Sequence, residues 1–580
     1  MKRRKLTFKA IIVMLFAGGL IAVSSWAFAQ GSITGSVRDP SNNRGIQGVI
    51  ITVKDVSTGA LAGTDTTDAL GNYSVGVPSL GNYSLLASKL GYDNMPALDV
   101  IELSVMTPNR TVNIAMGEKG WLKYKPEVPT PALNWDTGAG KSYLIPALEI
   151  PAFILALNAY SRLASPNEEQ DGKKVYSVTL STFRDHVDHG PWGFDQDAFK
   201  INQLMHPYQG SMYYGFARSA GLSFWESSAY TFAGSYLWET GGETTSPSIN
   251  DQFSSGIAGA FFGEALFRMA SLLLEDGGEK PGFWRELGAT VISPPTGFNR
   301  LVFGERFAPV FPSHNPATLW RLRFGAFLNN RLYDQGGPSP VGRKDATMDF
   351  SMAYGLPGKP GYSYTRPFDY FNVEALASSI SDNPIQDIMI RGLLFGKEYE
   401  AGDSYRGVWG LYGGYDYISP QTFRVSSTAA SLGTTFQWWL AKTVALQGSV
   451  LGGVGYGAAG TTTGVGERNY HYGVDPQGLL ALRLIFGNRA MLDVTGRAYY
   501  IGGTGSTEPG TENIGRLNAG LTVRIYGRHA LGVQYIASSR DAYYPNRADV
   551  HQTTGTYSLV YTLLGDSGFG AVEWRDADRR

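Results

Sequence analysis

The sequence predicts a mainly β protein: an N-terminal β-sandwich, a central helical block, and a C-terminal transmembrane β-barrel of about 12 antiparallel strands. Three observations carry this. The second half of the chain alternates apolar and polar residues over many consecutive segments. Glycine (73 of 580 residues) and aromatics (13%) are abundant, as tight turns and membrane girdles require. One stretch, 201–275, breaks the β pattern with small residues at helical spacing.

A chain of 580 residues is too long for one ordinary core. Its net charge of −1, with no basic run beyond the N-terminus, argues against nucleic acid as a partner. The absence of cysteine excludes disulfides, thiolate metal sites and a lipidated N-terminal cysteine.

Residues 1–29 read as an export signal. Lys2, Arg3, Arg4 and Lys5 precede an apolar run at 10–23, and Ala27-Phe28-Ala29 supplies the small residues for cleavage before Gln30. The alternative, an uncleaved anchor, meets a run that is short for a span.

Residues 30–118 hold short alternating runs such as GSITGSVRD, GVIITVKDV and GNYSVGV, separated by Gly, Asn and Asp. That spacing predicts a sandwich. Gly35-Ser36-Val37 with Asp39, Gly48-Val49, Thr67-Asp68-Ala69-Leu70-Gly71-Asn72-Tyr73 and Gly91-Tyr92 resemble the carboxypeptidase regulatory-like, transthyretin-like domain. The resemblance implies an accessory module without catalytic residues, of a kind that often precedes outer-membrane barrels. No H-x-x-E zinc pair accompanies it, so no peptidase follows. Too little chain remains for a 22-stranded transporter barrel. Residues 119–142 form a linker, proline-spaced at Lys123–Pro131.

Residues 143–310 are expected to be helical. The run Tyr143–Leu163 contains Pro146, Glu149 and Pro151, which favours a packed or interfacial helix over a span. His186-x-x-His189, next to Gly190-Pro191, reads as a loop and not as a metal site. Ser211, Gly215 and Ser219, and likewise Ser255, Gly259 and Gly263, form stripes along which helix backbones approach closely. Ser248 reads as an N-cap, and Glu264 and Arg268 are spaced for an ion pair.

Glu226, Glu239 and Glu264 sit among aromatic or apolar neighbours, and His206 opens the first helix of this block. Buried carboxylates need partners. One reading gathers His206 and these acids as general acid/base groups or ligands between helices. The other pairs them with Arg218, Arg268 and amides to hold a bundle, and without a spacing such as H-E-x-x-H it is preferred. Asp195-x-Asp197, Asn202, His206-Pro207, Arg218, Trp225-Glu226, Trp238-Glu239, Asn250-Asp251, Gly263-Glu264 and Asn299-Arg300 resemble an uncharacterised bacterial outer-membrane family, a domain of unknown function. The resemblance implies an envelope location and brings no activity.

Residues 311–580 alternate as a barrel does. Met348, Phe350 and Met352 oppose Asp349 and Ser351; Leu480 and Leu482 oppose Arg483; Leu517, Leu521 and Val523 oppose Arg516, Asn518 and Thr522. Strands are expected at 318–329, 345–355, 368–378, 386–398, 405–417, 421–434, 440–457, 476–486, 489–501, 513–526, 529–539 and 554–564. Gly487-Asn488 and Gly527-Arg528 are the tight turns, and longer Gly/Thr/Asn-rich joins alternate with them. His471, His529 and His551 are expected in loops or turns. A tail, Trp574-Arg-Asp-Ala-Asp-Arg-Arg, follows the closing strand.

The expected protein is a non-enzymatic outer-membrane component for pore formation, transport or envelope assembly. Its N-terminal domains are periplasmic, its helices fill or cap the lumen, and its sandwich docks a periplasmic protein. The alternative is an enzyme acting on lipid or cell-wall material through His206, Glu226, Glu239 and Glu264; a third reading is an adhesion or scaffold protein. Outer-membrane lipid is the expected surrounding, and no cofactor or metal is assigned.

Overall fold

The computed structural model describes residues 31–575, except 40–42, 93–94, 97–99, 105–106, 118–130, 171–172, 189, 191, 196, 279, 335–336, 340–344, 380–383, 421–422, 462–467, 504–509 and 547. The export signal and much of the linker lie outside the described residues. The chain divides into two compact units, Met1–Ser142 and Tyr143–Arg580.

The first unit is built from β1 (Gly31–Arg38), β2 (Ile50–Asp55), β3 (Leu61–Thr66), β4 (Asn72–Val77), β5 (Gly81–Ser88), β6 (Met95–Pro96), β7 (Ile101–Leu103), β8 (Asn109–Thr111) and β9 (Ile114–Ala115). One sheet runs β4-β1-β8 with β9 beside β1, the other β3-β2-β5-β6 with β7 beside β5. Alternate residues turn inward: Tyr73, Val75 and Val77 of β4 meet Ile33, Val37, Ile51, Val53, Tyr83 and Leu85 in one core. Tyr73 donates its hydroxyl to the Val112 carbonyl at 2.7 Å, pinning β4 to the segment between β8 and β9.

The second unit opens with helices. They are α1 (Leu144–Ala164), then the small hairpin β10 (Glu169–Gln170) and β11 (Lys173–Lys174), then α2 (Leu180–Asp188), α3 (His206–Ser219), α4 (Phe224–Gly241), α5 (Gly259–Glu275), α6 (Phe283–Ile292) and α7 (Pro294–Phe303). Two π-helical segments lead into α3 and α5, Ile201–Met205 and Gln252–Ala258. The expected close approach is real. A Cβ on Gly210 would lie 2.0 Å from the Ser255 carbonyl oxygen, and one on Gly259 would lie 2.7 Å from the Gly210 Cα. Only glycines allow this crossing. His186 corrects the expected loop, for it lies within α2 with Nδ1 3.3 Å from the Thr240 carbonyl; His189 lies outside the described residues.

The barrel strands are β12 (Thr318–Asp334), β13 (Gly337–Ser339), β14 (Ala346–Tyr354), β15 (Phe371–Ser378), β16 (Ile385–Ala401), β17 (Tyr405–Ile418), β18 (Phe423–Ala441), β19 (Val444–Thr461), β20 (Tyr470–Phe486), β21 (Ala490–Ile501), β22 (Thr511–Tyr526), β23 (His529–Tyr543) and β24 (Val550–Leu564). Each pairs antiparallel with its neighbour. β24 returns to β12, with Arg321 opposite Leu564 and Tyr333 opposite Thr553, so the ring closes. The short β13 only extends the tip of β12, leaving the 12 strands expected. Gly487 and Gly527, with φ of 54° and 53°, make two of the short turns at one end of the barrel. One long connection, residues 355–370 between β14 and β15, lies at this same end.

Most strands run beyond the bounds the alternation suggested: β12 continues to Asp334, β19 to Thr461 and β23 to Tyr543, and β24 starts at Val550. β20 begins at Tyr470, with Pro476 well inside it rather than at its first residue. β18 runs on to Ala441 because Trp439 points inward while Trp438 and Leu440 point outward, so three apolar residues in a row hide the alternation. His471, His529 and His551 all fall within strands, and His471 is buried.

The two faces of the wall differ as a membrane demands. Trp409, Leu432, Val450, Leu480, Leu517, Leu521, Val533 and Leu559 point outward and are exposed. Arg321, Arg323, Asp349, Arg391, Asp416, Asp493, Arg497 and Arg516 point inward. Within the lumen, ion pairs cross between strands that are not neighbours. Arg321 of β12 reaches Asp493 of β21 at 2.7 Å, Arg497 of β21 reaches Glu374 of β15 at 3.2 Å, and Arg516 of β22 pairs with Asp387 of β16. Tyr499 donates to Asp416, which also holds Arg391. A cavity of about 80 Å³ remains among Arg321, Glu374, Arg391, Asp493 and Arg497.

The helices do not enter the lumen. They pack on the outer wall, contrary to expectation. Tyr415 and Tyr417 share the face of Trp409, and Tyr470 and Tyr472 share the face of Leu480; these outward tyrosines are buried under the helical block. Tyr415 donates to the Gln203 carbonyl, Phe199 packs on Tyr417 and Tyr470, and Phe262 stacks on Tyr415. The physical reason is that the lumen is already full of paired side chains, while aromatic and small residues of α3–α5 match the aromatic outer wall.

What does close the barrel is the chain's own end. After β24, residues 565–575 fold into the mouth at the short-turn end. Gln437 and Trp439 donate to the Val572 carbonyl at 2.6 and 3.0 Å, and Gln447 donates to the Gly570 carbonyl at 2.7 Å. Trp574 is fully buried beside Leu319, Ala353, Leu356 and Val572.

Candidate functional site

The helical block gathers a second set of charged groups, separate from the lumen. His206 begins α3, directly after the first π-helical segment. Asp251 lies directly before the second, in a turn whose Ser248 caps it by accepting the Asp251 N–H at 3.3 Å. Glu239 projects from the last turn of α4. All three are buried, at 5, 2 and 6% exposure. His206 Nε2 stands 3.6 Å from Asp251 Oδ2, and one ligand-type atom from each residue lies within 4.8 Å of the others.

Each side chain is oriented. His206 Nδ1 is 3.2 Å from Ser255 Oγ. Glu239 accepts the Ser248 N–H at 2.8 Å through Oε2. Asn250 donates to Asp251, to Asp195 at 2.8 Å, and to the Tyr472 hydroxyl at 2.8 Å only as its amide reaches the barrel wall. Asn202, wholly buried one turn before His206, donates to Asp195 and accepts nothing at its own Oδ1. The charges facing Glu239 are Asp251, Glu243 and Asp195; burial first, then the Asp251 carboxylate, pushes its carboxyl well above the usual range. Such a group can share protons with its neighbours or gather around a cation.

The other expected site residues take structural positions. Glu226 completes a capping box with Ser223 and accepts from Tyr143. Glu264 is bound by Arg218 at 2.9 Å, Arg268 at 2.7 Å and Tyr214 at 2.8 Å. Trp225 stacks on Phe395 of the barrel, with ring centres 5.5 Å apart. Trp238 donates to Glu243 at 2.9 Å. Asn299 donates to Ser219 at 2.9 Å, and Arg300 pairs with Glu286 at 2.7 Å. Asp197 meets Arg468 at 3.5 Å, at the rim.

Of the four acid and histidine candidates, then, His206 and Glu239 come together and Glu226 and Glu264 do not. Asp251 and Asn250 join them from among the motif residues. Asp195 and Glu243 were not singled out as candidates. The i, i+4 spacing of Glu239 and Glu243 was the available signal for the latter.

No curated protein matches the chain. Among solved structures, the P. putida toluene transporter TodX shares 9% identity over 44% of this chain and 91% of its own, with a TM-score of 0.20. The outer membrane channel DcaP of Acinetobacter baumannii shares 6% over 43% and 96%, with a TM-score of 0.20. At these values neither likeness carries inference about activity. Two family models match in sequence. Residues 32–117 match the carboxypeptidase regulatory-like domain, and residues 191–295, which hold the whole acid–histidine cluster, match a domain of unknown function, DUF3943.

Proposed function

We propose that the protein is an outer-membrane transport component whose barrel is a passage held shut at rest. One observation supports this best: a closed wall, apolar outside and charged inside, whose charges pair across the lumen and whose mouth is covered by the chain's own last segment. Buried ion pairs add little stability over apolar filling of the same volume. A barrel needed only as a scaffold gains nothing from them, whereas a passage that becomes wet on opening requires them. In this reading the N-terminal unit faces the periplasm and docks a partner there, and lipid contacts the exposed apolar residues of the wall and of α1.

Asp387→Ala tests the lumen. It leaves Arg516 without its partner on the opposite wall. The variant is expected to conduct in planar bilayers more often than the native protein and to prefer anions. Silence from both proteins, together with silence after removal of the tail, sinks the reading.

A second reading, an enzyme acting on lipid, is favoured by the burial of His206, Glu239 and Asp251 within helices on the lipid side of the wall. It predicts turnover of labelled phospholipid or lipopolysaccharide that is abolished in Glu239→Gln. Turnover equal in native and variant protein excludes this site.

A further inference from the structure

Four carboxylates, those of Asp195, Glu239, Glu243 and Asp251, crowd one imidazole in the helical block. Among the described residues no arginine or lysine forms an ion pair with any of these four acids, in contrast with Glu264, which has two arginines. Buried charges of one sign need a counter-charge. Two further observations point to a ligand. The side chains of His206, Glu239 and Asp251 are each more than nine-tenths buried, and one ligand-type atom from each lies within 4.8 Å of the others. Asn202, whose Nδ2 holds Asp195, keeps its buried Oδ1 unpartnered. Both metal-type residues at the helix starts adjoin π-helical segments, a distortion frequent at functional sites.

We propose that His206, Glu239 and Asp251 bind one divalent transition-metal ion, with Asp195 and Ser255 orienting the ligands. A mixed set of one imidazole nitrogen and carboxylate oxygens suits Zn²⁺, Mn²⁺ or Fe²⁺; an all-oxygen set would suit Ca²⁺ or Mg²⁺. The Ser255 hydroxyl at His206 Nδ1 leaves Nε2, the nitrogen facing Asp251, as the ligand atom. The site does not depend on the barrel conducting, because its residues lie outside the lumen.

The test uses the full chain, purified in detergent, stripped with a chelator and titrated calorimetrically with Zn²⁺, Mn²⁺ and Ca²⁺ in turn. One Zn²⁺ or Mn²⁺ per chain is expected, with a rise in melting temperature. His206→Ala and Glu239→Gln should each weaken binding roughly tenfold or more. Glu226→Gln, in its separate capping box, should bind as the native chain does. Elemental analysis of the native protein before stripping requires no variant, so it decides the matter if either variant misfolds. No stoichiometric Zn²⁺, Mn²⁺ or Fe²⁺ in the native chain, binding of Ca²⁺ alone, or equal affinity in a folded His206→Ala chain each overturns the proposal.

Discussion

Removing residues 565–580 is expected to convert a silent barrel into a conducting one. The segment is held at the short-turn mouth by side chains that point into the lumen, chiefly Gln437, Trp439 and Gln447, which donate to its carbonyls. Gln437 also accepts the Val572 N–H at 2.9 Å. Trp574 anchors the end, buried, with its indole N–H on the Asp403 carbonyl at 2.9 Å. None of these contacts belongs to the strand ladder, which is complete at Leu564. The truncated chain should therefore keep its heat-modifiable mobility on gels while its bilayer conductance rises severalfold. Trp574→Ala is the milder form: loss of a buried indole costs about 3–5 kcal/mol where the site cannot collapse, here charged to docking of the tail rather than to the barrel. Truncation that leaves the barrel folded and silent would show that the mouth is not the barrier.

The strands were legible because lipid outside and paired charges inside impose a period of two that survives in sequence. Alternation says which residues share a face. It does not say what covers that face. Tyr415 and Tyr417 share a strand face, and Tyr470 and Tyr472 fell in an expected join; only the fold shows helices over all four. The expected helical plug failed for this reason. The tail after Leu564 was expected; that it enters the mouth was not, since Phe569, Val572 and Trp574 are too few and too irregularly spaced to show a period.

The site was half legible. Glu226, Glu239 and Glu264 looked alike, each beside aromatic or apolar residues. Their partners separate them, and some partners were visible: Ser223 stands at capping-box distance before Glu226, and Arg268 one turn after Glu264. The partners of Glu239 come from the turn at Ser248–Asp251 and from the start of α3, so only the packing of α3 against α4 and α5 brings them together. Gly210 and Gly259 permit that packing, and the stripe containing Gly259 was the one sequence sign of it.

Glu264→Gln is expected to be the most destabilising conservative change in the helical block. Glu264 is 0% exposed and binds Arg218, Arg268 and Tyr214 at once. Arg268 in turn reaches Asp369 at 3.0 Å and the Pro367 carbonyl at 2.7 Å, so the acid ties α3 and α5 to the connection between β14 and β15. Glutamine keeps the volume and removes the charge. Arg268 then retains Asp369, and Arg218 loses the carboxylate held at its Nε, 2.9 Å away. Breaking a buried pair from one side costs about 3–5 kcal/mol, because the surviving charge stays buried. Glu226→Gln, at a half-buried helix cap, should cost about 1 kcal/mol. Thermal unfolding of the two variants in the same detergent compares them directly. If Arg218→Met added to Glu264→Gln recovers part of the loss, the Arg218 guanidinium that lost its carboxylate is the source; if Glu264→Gln melts with the native chain, this triad does not hold the helices to the wall.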